Sequence, residues 1–168
     1  MARRHELHAY DYVSSPYQTV CDTLLASPLT VFRQATIAGT NQRDEAIGAE
    51  LHAHVGPLDV AAEVAIEILA IEEARSPNDQ PATKMIIEWK AIHRPGLFPT
   101  MHATLLIYAL TPTETQLDLA GAYDPPLGVI GDMIDAVAMG RLAEETVANF
   151  VRDVARFLRG LLSMDHAA

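Results

Sequence analysis

From Ala46 onward, apolar and polar positions alternate. Ile47, Ala49, Leu51, Ala53 and Val55 take one phase, and Glu50, His52 and His54 the other. A period of two places alternate side chains on opposite faces of a strand, so 46–55 is predicted as a strand. Gly56-Pro57 supplies a turn. Val60, Ala62, Val64, Ile66, Ile68 and Ala70 then resume the alternation opposite Glu63 and Glu67, until SPNDQP at 76–81 breaks it. The two segments read as a hairpin. A third inward set is Thr83, Met85, Ile87, Trp89 and Ala91, with Lys84, Glu88 and Lys90 outward. A strand over 101–110 is apolar on both sides, so its inward face stays open. Thr115, Leu117, Leu119, Gly121 and Tyr123 form the last strand-like set.

The chain opens differently. LHAYDYV at 7–13 reads as a strand that runs into SSPYQ, where Ser15, Pro16 and Gln18 have the placement of an N-cap, a first helical residue and a capping-box partner. Ser27-Pro28 repeats the device and predicts a second short helix. Beyond YDPPLGVIGD at 123–132, Met133, Val137, Gly140, Ala143, Val147, Val151, Val154, Leu158 and Leu161 recur at spacings of three and four. That stripe predicts one helix from about 131 to 162, roughly 45 Å long. Pro125 and Pro126 cannot donate to a sheet, and Gly128 and Gly131 permit the turn into the helix. A strand, two short helices, a run of antiparallel strands and one long terminal helix make an α+β order.

Composition narrows the function. At 168 residues the chain is expected to be one domain spanning 1–168, large enough to bury about 70% of its unfolded surface. Twelve Lys and Arg stand against 22 Asp and Glu, a net charge of −10 that argues against nucleic acid or anionic lipid as a partner. Cys21 is the only cysteine, which excludes an intrachain disulfide and a cysteine zinc site. No signal-like or membrane-spanning run occurs, so a soluble cytoplasmic protein is expected. A homodimer is compatible with the sequence, although no residue argues for one.

No nucleophile elbow, phosphate loop, HExxH or triad spacing occurs, and no cofactor is implied. His52 and His54 share one side of a strand but lack a third ligand, so no metal is expected. His5 and His8 read as solvated. His93 and His102 bracket a loop and could carry protons at a cavity mouth. Tyr108 and Tyr123 pair an apolar body with a hydroxyl that can orient a ligand.

The segments SSPYQTVCDTLL at 14–25 and LDLAGAYDPPLGVIGDMIDAV at 117–137, in this element order, resemble the helix-grip fold of the START-like superfamily (SRPBCC). That superfamily includes polyketide cyclases, aromatases, pollen-allergen-like proteins and lipid-transfer domains. The resemblance implies a curved antiparallel sheet wrapped around the long C-terminal helix, with an apolar cavity between them. Met85, Ile87, Trp89, Leu117, Leu119, Tyr123, Met133 and Val137 would line it. Gly140 and Ala143 would either enlarge it or bring helix and sheet into contact. Three roles follow: binding or transport of a small hydrophobic lipid, polyketide or isoprenoid; a cyclase, aromatase or dehydratase reaction in the same cavity; or a regulator or chaperone cofactor that binds protein.

Overall fold

The computed structural model describes residues 5–36, 64–91, 100–123 and 136–165. Strand β1 (His5–Val13) leads into helix α1 (Tyr17–Ala26), followed by a second helix, α2 (28–36). Strands β2 (Val64–Arg75), β3 (Pro81–Ala91), β4 (Met101–Thr111) and β5 (Glu114–Tyr123) come next, and α3 (Ala136–Asp165) ends the described chain. The predicted strand 46–55, the YDPPLGVIGD turn after Tyr123, Met133, His52, His54 and His93 lie outside the described residues.

All pairings are antiparallel, in the order β1-β5-β4-β3-β2. Register partners share a face, so the sheet resolves into rows. Trp89, Met101, Tyr123 and His5 form one row; Ile87, Ala103, Gly121 and Leu7 the next; Met85, Leu105, Leu119 and Ala9 a third; Thr83, Ile107, Leu117 and Asp11 a fourth. This answers the question about β4, whose inward residues are Met101, Ala103, Leu105 and Ile107, all buried. The opposite face carries ion pairs between neighbouring strands: Lys84 with Glu72 at 2.6 Å, His102 with Glu88 at 3.0 Å and His8 with Asp118 at 2.7 Å. An exposed pair such as Lys84–Glu72 contributes about 0 to 1 kcal/mol.

The alternation fails in β2. A bulge between Ile68 and Ala70 shifts the register, so Ala70 pairs with Ile86 and Ile71 takes the inward position opposite Met85. An extra residue in one strand reverses the phase of everything beyond it, and the regular inward set therefore ends at Ile68. The turn into β3 closes with Asp79 at φ 59°, a left-handed geometry that aspartate tolerates. Ser76 anchors it, its hydroxyl oxygen accepting from Gln80 N at 3.0 Å.

Helix α3 lays Val147, Phe150, Val151, Val154, Ala155, Leu158 and Leu162 into the core. Each large apolar side chain buried there contributes about 1.5 to 3 kcal/mol. Trp89 and Phe32 both meet Phe150 edge-on, with ring centroids 4.8 and 5.3 Å away. Further along, Arg159 donates to Tyr12 O and to Asp11 Oδ1, tying the helix to β1.

Helix α1 closes the Thr83 end of this face. The hydroxyls of Tyr17 and Thr83 hydrogen-bond at 2.8 Å, and Cys21 Sγ lies 3.6 Å from the same Thr83 oxygen. Thr115, fully buried, donates to Ser15 O at 2.8 Å and fixes the corner between β1 and α1. The capping box expected at Ser15 does not form. Pro16 takes the N-cap position, Ser15 Oγ donates to Ser14 O, and Gln18 Nε2 donates to Asp22. With Thr115 holding the Ser15 carbonyl, tertiary contacts rather than a local cap set where α1 begins.

Two expectations follow. A Cβ at Gly121 would sit 3.0 Å from both Ala103 Cβ and His102 O. Replacing a strand glycine by alanine gains about 0.5 to 1 kcal/mol from the unfolded chain, whereas crowding of this kind costs about 1 to 3 kcal/mol. Gly121→Ala is therefore expected to lower stability in urea unfolding, and a rise would show that β4 and β5 separate there freely. The second expectation concerns alkali. Burial raises the Cys21 thiol above 9.0 and the Tyr17 hydroxyl above 10.0. Past about pH 9 the unfolded chain releases the thiol proton while the folded chain keeps it, so stability falls as pH rises. Cys21→Ala is expected to show a shallower fall in urea midpoint between pH 8 and 10; equal slopes would remove Cys21 as a cause.

Candidate functional site

The inward side chains of the three central strands are uncharged from the Trp89 row down to the Thr83 row. Their accessibility is uneven. Met85, Ile87, Ile107, Leu117 and Leu119 have no accessible surface, and Leu105 almost none. Trp89, Met101 and Tyr123, at the other end of the same strands, remain slightly open at 7%, 9% and 3%.

The row beside them is shallow. Ala103 and Gly121 pair across β4 and β5, and Gly121, an inner-strand residue, is only partly buried. Two small residues side by side leave the sheet surface low. Trp89, Met101 and Tyr123 stand on one side of that low area, Leu7 borders it on β1, and Phe150 reaches the Trp89 side from α3. We read this arrangement, a pair of small residues among larger ones, as a shallow apolar hollow at the end of the face opposite α1.

Six residues expected from the sequence as ligand contacts share this face: Met85, Ile87, Trp89, Leu117, Leu119 and Tyr123. Only Trp89 and Tyr123 stand at its open end, and the other four are packed core. Tyr108 requires a correction. It pairs with Gln116 and Ala82, in the phase opposite to Ile107 and Leu117, and so lies on the outer face although it is buried. Alternation could not place it because both sides of β4 are apolar. Val137 and Gly140 fall within α3, but their side chains, like Met133, lie outside the described ones, so the question posed by Gly140 stays open.

His5 and His8 are exposed, as expected, and each also has a neighbour. The His5 ring stacks on Tyr123 with centroids 5.2 Å apart, and His8 pairs with Asp118. His102 points to the outer face, where it meets Glu88, and therefore cannot serve the hollow. Among the described residues no group of three or more His, Cys, Asp or Glu could hold a metal ion.

Tyr123 is the one hydroxyl among the described residues of the hollow. Burial, assisted by the negative charge of Glu144, raises its pKa above 10.0, so it is a neutral phenol at physiological pH. It can donate or accept a hydrogen bond there but is no base. Sequence reasoning missed Met101, Ala103, Phe150 and Leu7 as parts of this site. The available signal was Gly121, a glycine in the inward phase of an otherwise large-residue strand.

No protein-family model matches the sequence, and no curated protein matches it. Solved structures do match. TTHA0849 from Thermus thermophilus is 13% identical, covers 94% of this chain and 99% of its own, and superposes with a TM-score of 0.50. A conserved protein from Geobacillus kaustophilus is 10% identical over 92% of this chain and 95% of its own, TM-score 0.49. The Zhui aromatase/cyclase from Streptomyces sp. R1128 is 13% identical over 93% and 94%, TM-score 0.47. At such identities the likeness concerns the fold alone. The antiparallel sheet, the two helices after its first strand and the long C-terminal helix packed against it give this chain a helix-grip fold.

Proposed function

We propose that the protein binds a small hydrophobic molecule at the Trp89–Tyr123 end of the concave face. The observation that carries this reading is the contrast along one uncharged surface. In its middle rows Met85, Ile87, Ile107, Leu117 and Leu119 have no accessible surface, while Trp89 and Met101 keep 7% and 9% beside the partly buried Gly121. Apolar ligands favour such a site because each square ångström they remove from water contributes about 25 cal/mol. A charged ligand would lose its hydration without gaining a counter-ion from the described walls.

Binding is favoured over turnover for a related reason. A cyclase or dehydratase step moves protons, and a useful general base has a pKa near neutrality. Among the described residues the hollow offers Tyr123, whose pKa is raised rather than lowered, and beyond it only the exposed His5 ring stacked on Tyr123 at the sheet edge. His102 stands on the other face.

The test uses Trp89, the only tryptophan, as reporter. Titration with the neutral probe N-phenyl-1-naphthylamine is expected to quench Trp89 emission and saturate at one probe per chain. Ala103→Leu, which fills the low row, is expected to weaken probe binding at least tenfold while the variant still melts cooperatively. Non-saturable quenching by the wild type would sink the proposal, as would undiminished affinity in a folded Ala103→Leu.

A further inference from the structure

At the α1 end of this face the part-buried hydroxyl of Thr83 and the buried hydroxyl of Thr115 both have partners. Thr83 meets Tyr17 and Cys21, and Thr115 donates to Ser15 O. At the open end the pattern reverses. Tyr123 is 3% exposed, its ring is held against His5, and its hydroxyl has no hydrogen-bond partner among the described residues. Trp89 is 7% exposed, its ring is held against Phe150, and its indole N–H, a donor only, likewise has no acceptor among them.

The two groups belong to one row. Trp89 pairs with Met101, and Met101 with Tyr123, so two strand spacings, about 10 Å, separate their backbones. Both project from the face that carries the hollow, and both rings are fixed by an aromatic neighbour. A buried polar group left unmatched costs about 1 to 3 kcal/mol, and such groups call for a water, an ion or a ligand. Tyr108 is a third buried hydroxyl without a hydrogen bond among the described residues, but it stands on the outer face away from the hollow.

We infer that the ligand of this site is an uncharged, oxygen-bearing molecule, its carbonyl or hydroxyl oxygen accepting from Trp89 Nε1 or Tyr123 Oη while its apolar body lies over Ala103 and Gly121. This rests on the binding role proposed above and adds the ligand's chemical class. A pure hydrocarbon would leave both donors unmatched. A carboxylate would lie near the negative charge of Glu144, and the one basic side chain beside Tyr123 among the described residues is the exposed His5 ring. A ketone or alcohol satisfies a donor without bringing charge. Met101, between the two donors, is unbranched and adapts to the shape of what lies against it.

The test compares 1-tetralone with tetralin, which differ by one carbonyl, in displacing N-phenyl-1-naphthylamine from the intact protein. The wild type is expected to prefer the ketone by about tenfold, the value of one net hydrogen bond. Tyr123→Phe and Trp89→Phe are read by the probe's own emission. At least one of them is expected to reduce that preference severalfold with tetralin affinity unchanged. Without ligand, Tyr123→Phe is expected to melt at or above the wild-type temperature, since it deletes an unmatched group. Equal displacement by ketone and hydrocarbon would overturn the inference and leave the apolar site standing. A preference that survives in both variants would overturn it too. So would a Tyr123→Phe melting temperature several degrees below wild type, which would mean that the hydroxyl is already satisfied, by an ordered water only. Failure of the probe itself to bind would remove both readings together.

Discussion

Phe150 is the contact on which the concave face depends. Its ring meets Trp89 of the sheet and Phe32 of α2 edge-on, so one side chain of α3 joins all three layers. Edge-to-face pairs add about 0.5 to 1.5 kcal/mol beyond the area they bury. Position matters more than that increment. Phe150 stands near the start of the buried stripe of α3, and the residues that follow it, Val151, Val154, Leu158 and Leu162, are drawn down onto the sheet. Arg159 then fixes the far part of the helix to β1. With the helix held at these two places, the apolar stripe between them stays packed on the middle rows of the sheet.

Stability and binding are thereby separated along the strands. The rows of Met85, Leu105 and Leu119 and of Ile107 and Leu117 supply core burial, and α1 adds matched hydrogen bonds at their end. The Ala103–Gly121 row gives up burial. A leucine in place of either small residue would bury more apolar surface, yet the close approach of β4 to β5 at Gly121 leaves little room for even one carbon. Close strand packing thus explains the glycine and produces the low surface at the same time, so the hollow and the sheet geometry are one feature.

The elements were legible because their periods differ. Alternation marked β3 and β5, and the three-and-four spacing of Val147, Val151, Val154 and Leu158 marked α3. What failed was phase. One bulged residue in β2 moved Ala70 outward and Ile71 inward, which no count of apolar residues can reveal. Tyr108 was misplaced for a similar reason, since a strand apolar on both sides carries no record of which side is inward. The site was legible only in part. Trp89 and Tyr123 could be named from type and phase, but their distinction from Met85 or Leu119 is a matter of accessibility, which depends on helices far away in sequence.

The unmatched donors follow from the same separation. Thr83 and Thr115 have short side chains close to the backbone, and α1 with the chain entering it brings partners within reach. Trp89 and Tyr123 carry their polar atoms at the ends of long rigid rings, beyond the reach of the strand that bears them. Trp89 packs edge-to-face with Phe150 and Tyr123 stacks on His5, so neither ring can turn without giving up an aromatic contact. Aromatic packing therefore sets where each polar atom lies, and both groups are left without a partner among the described residues. A surface needed only for folding would do better with phenylalanine at both positions.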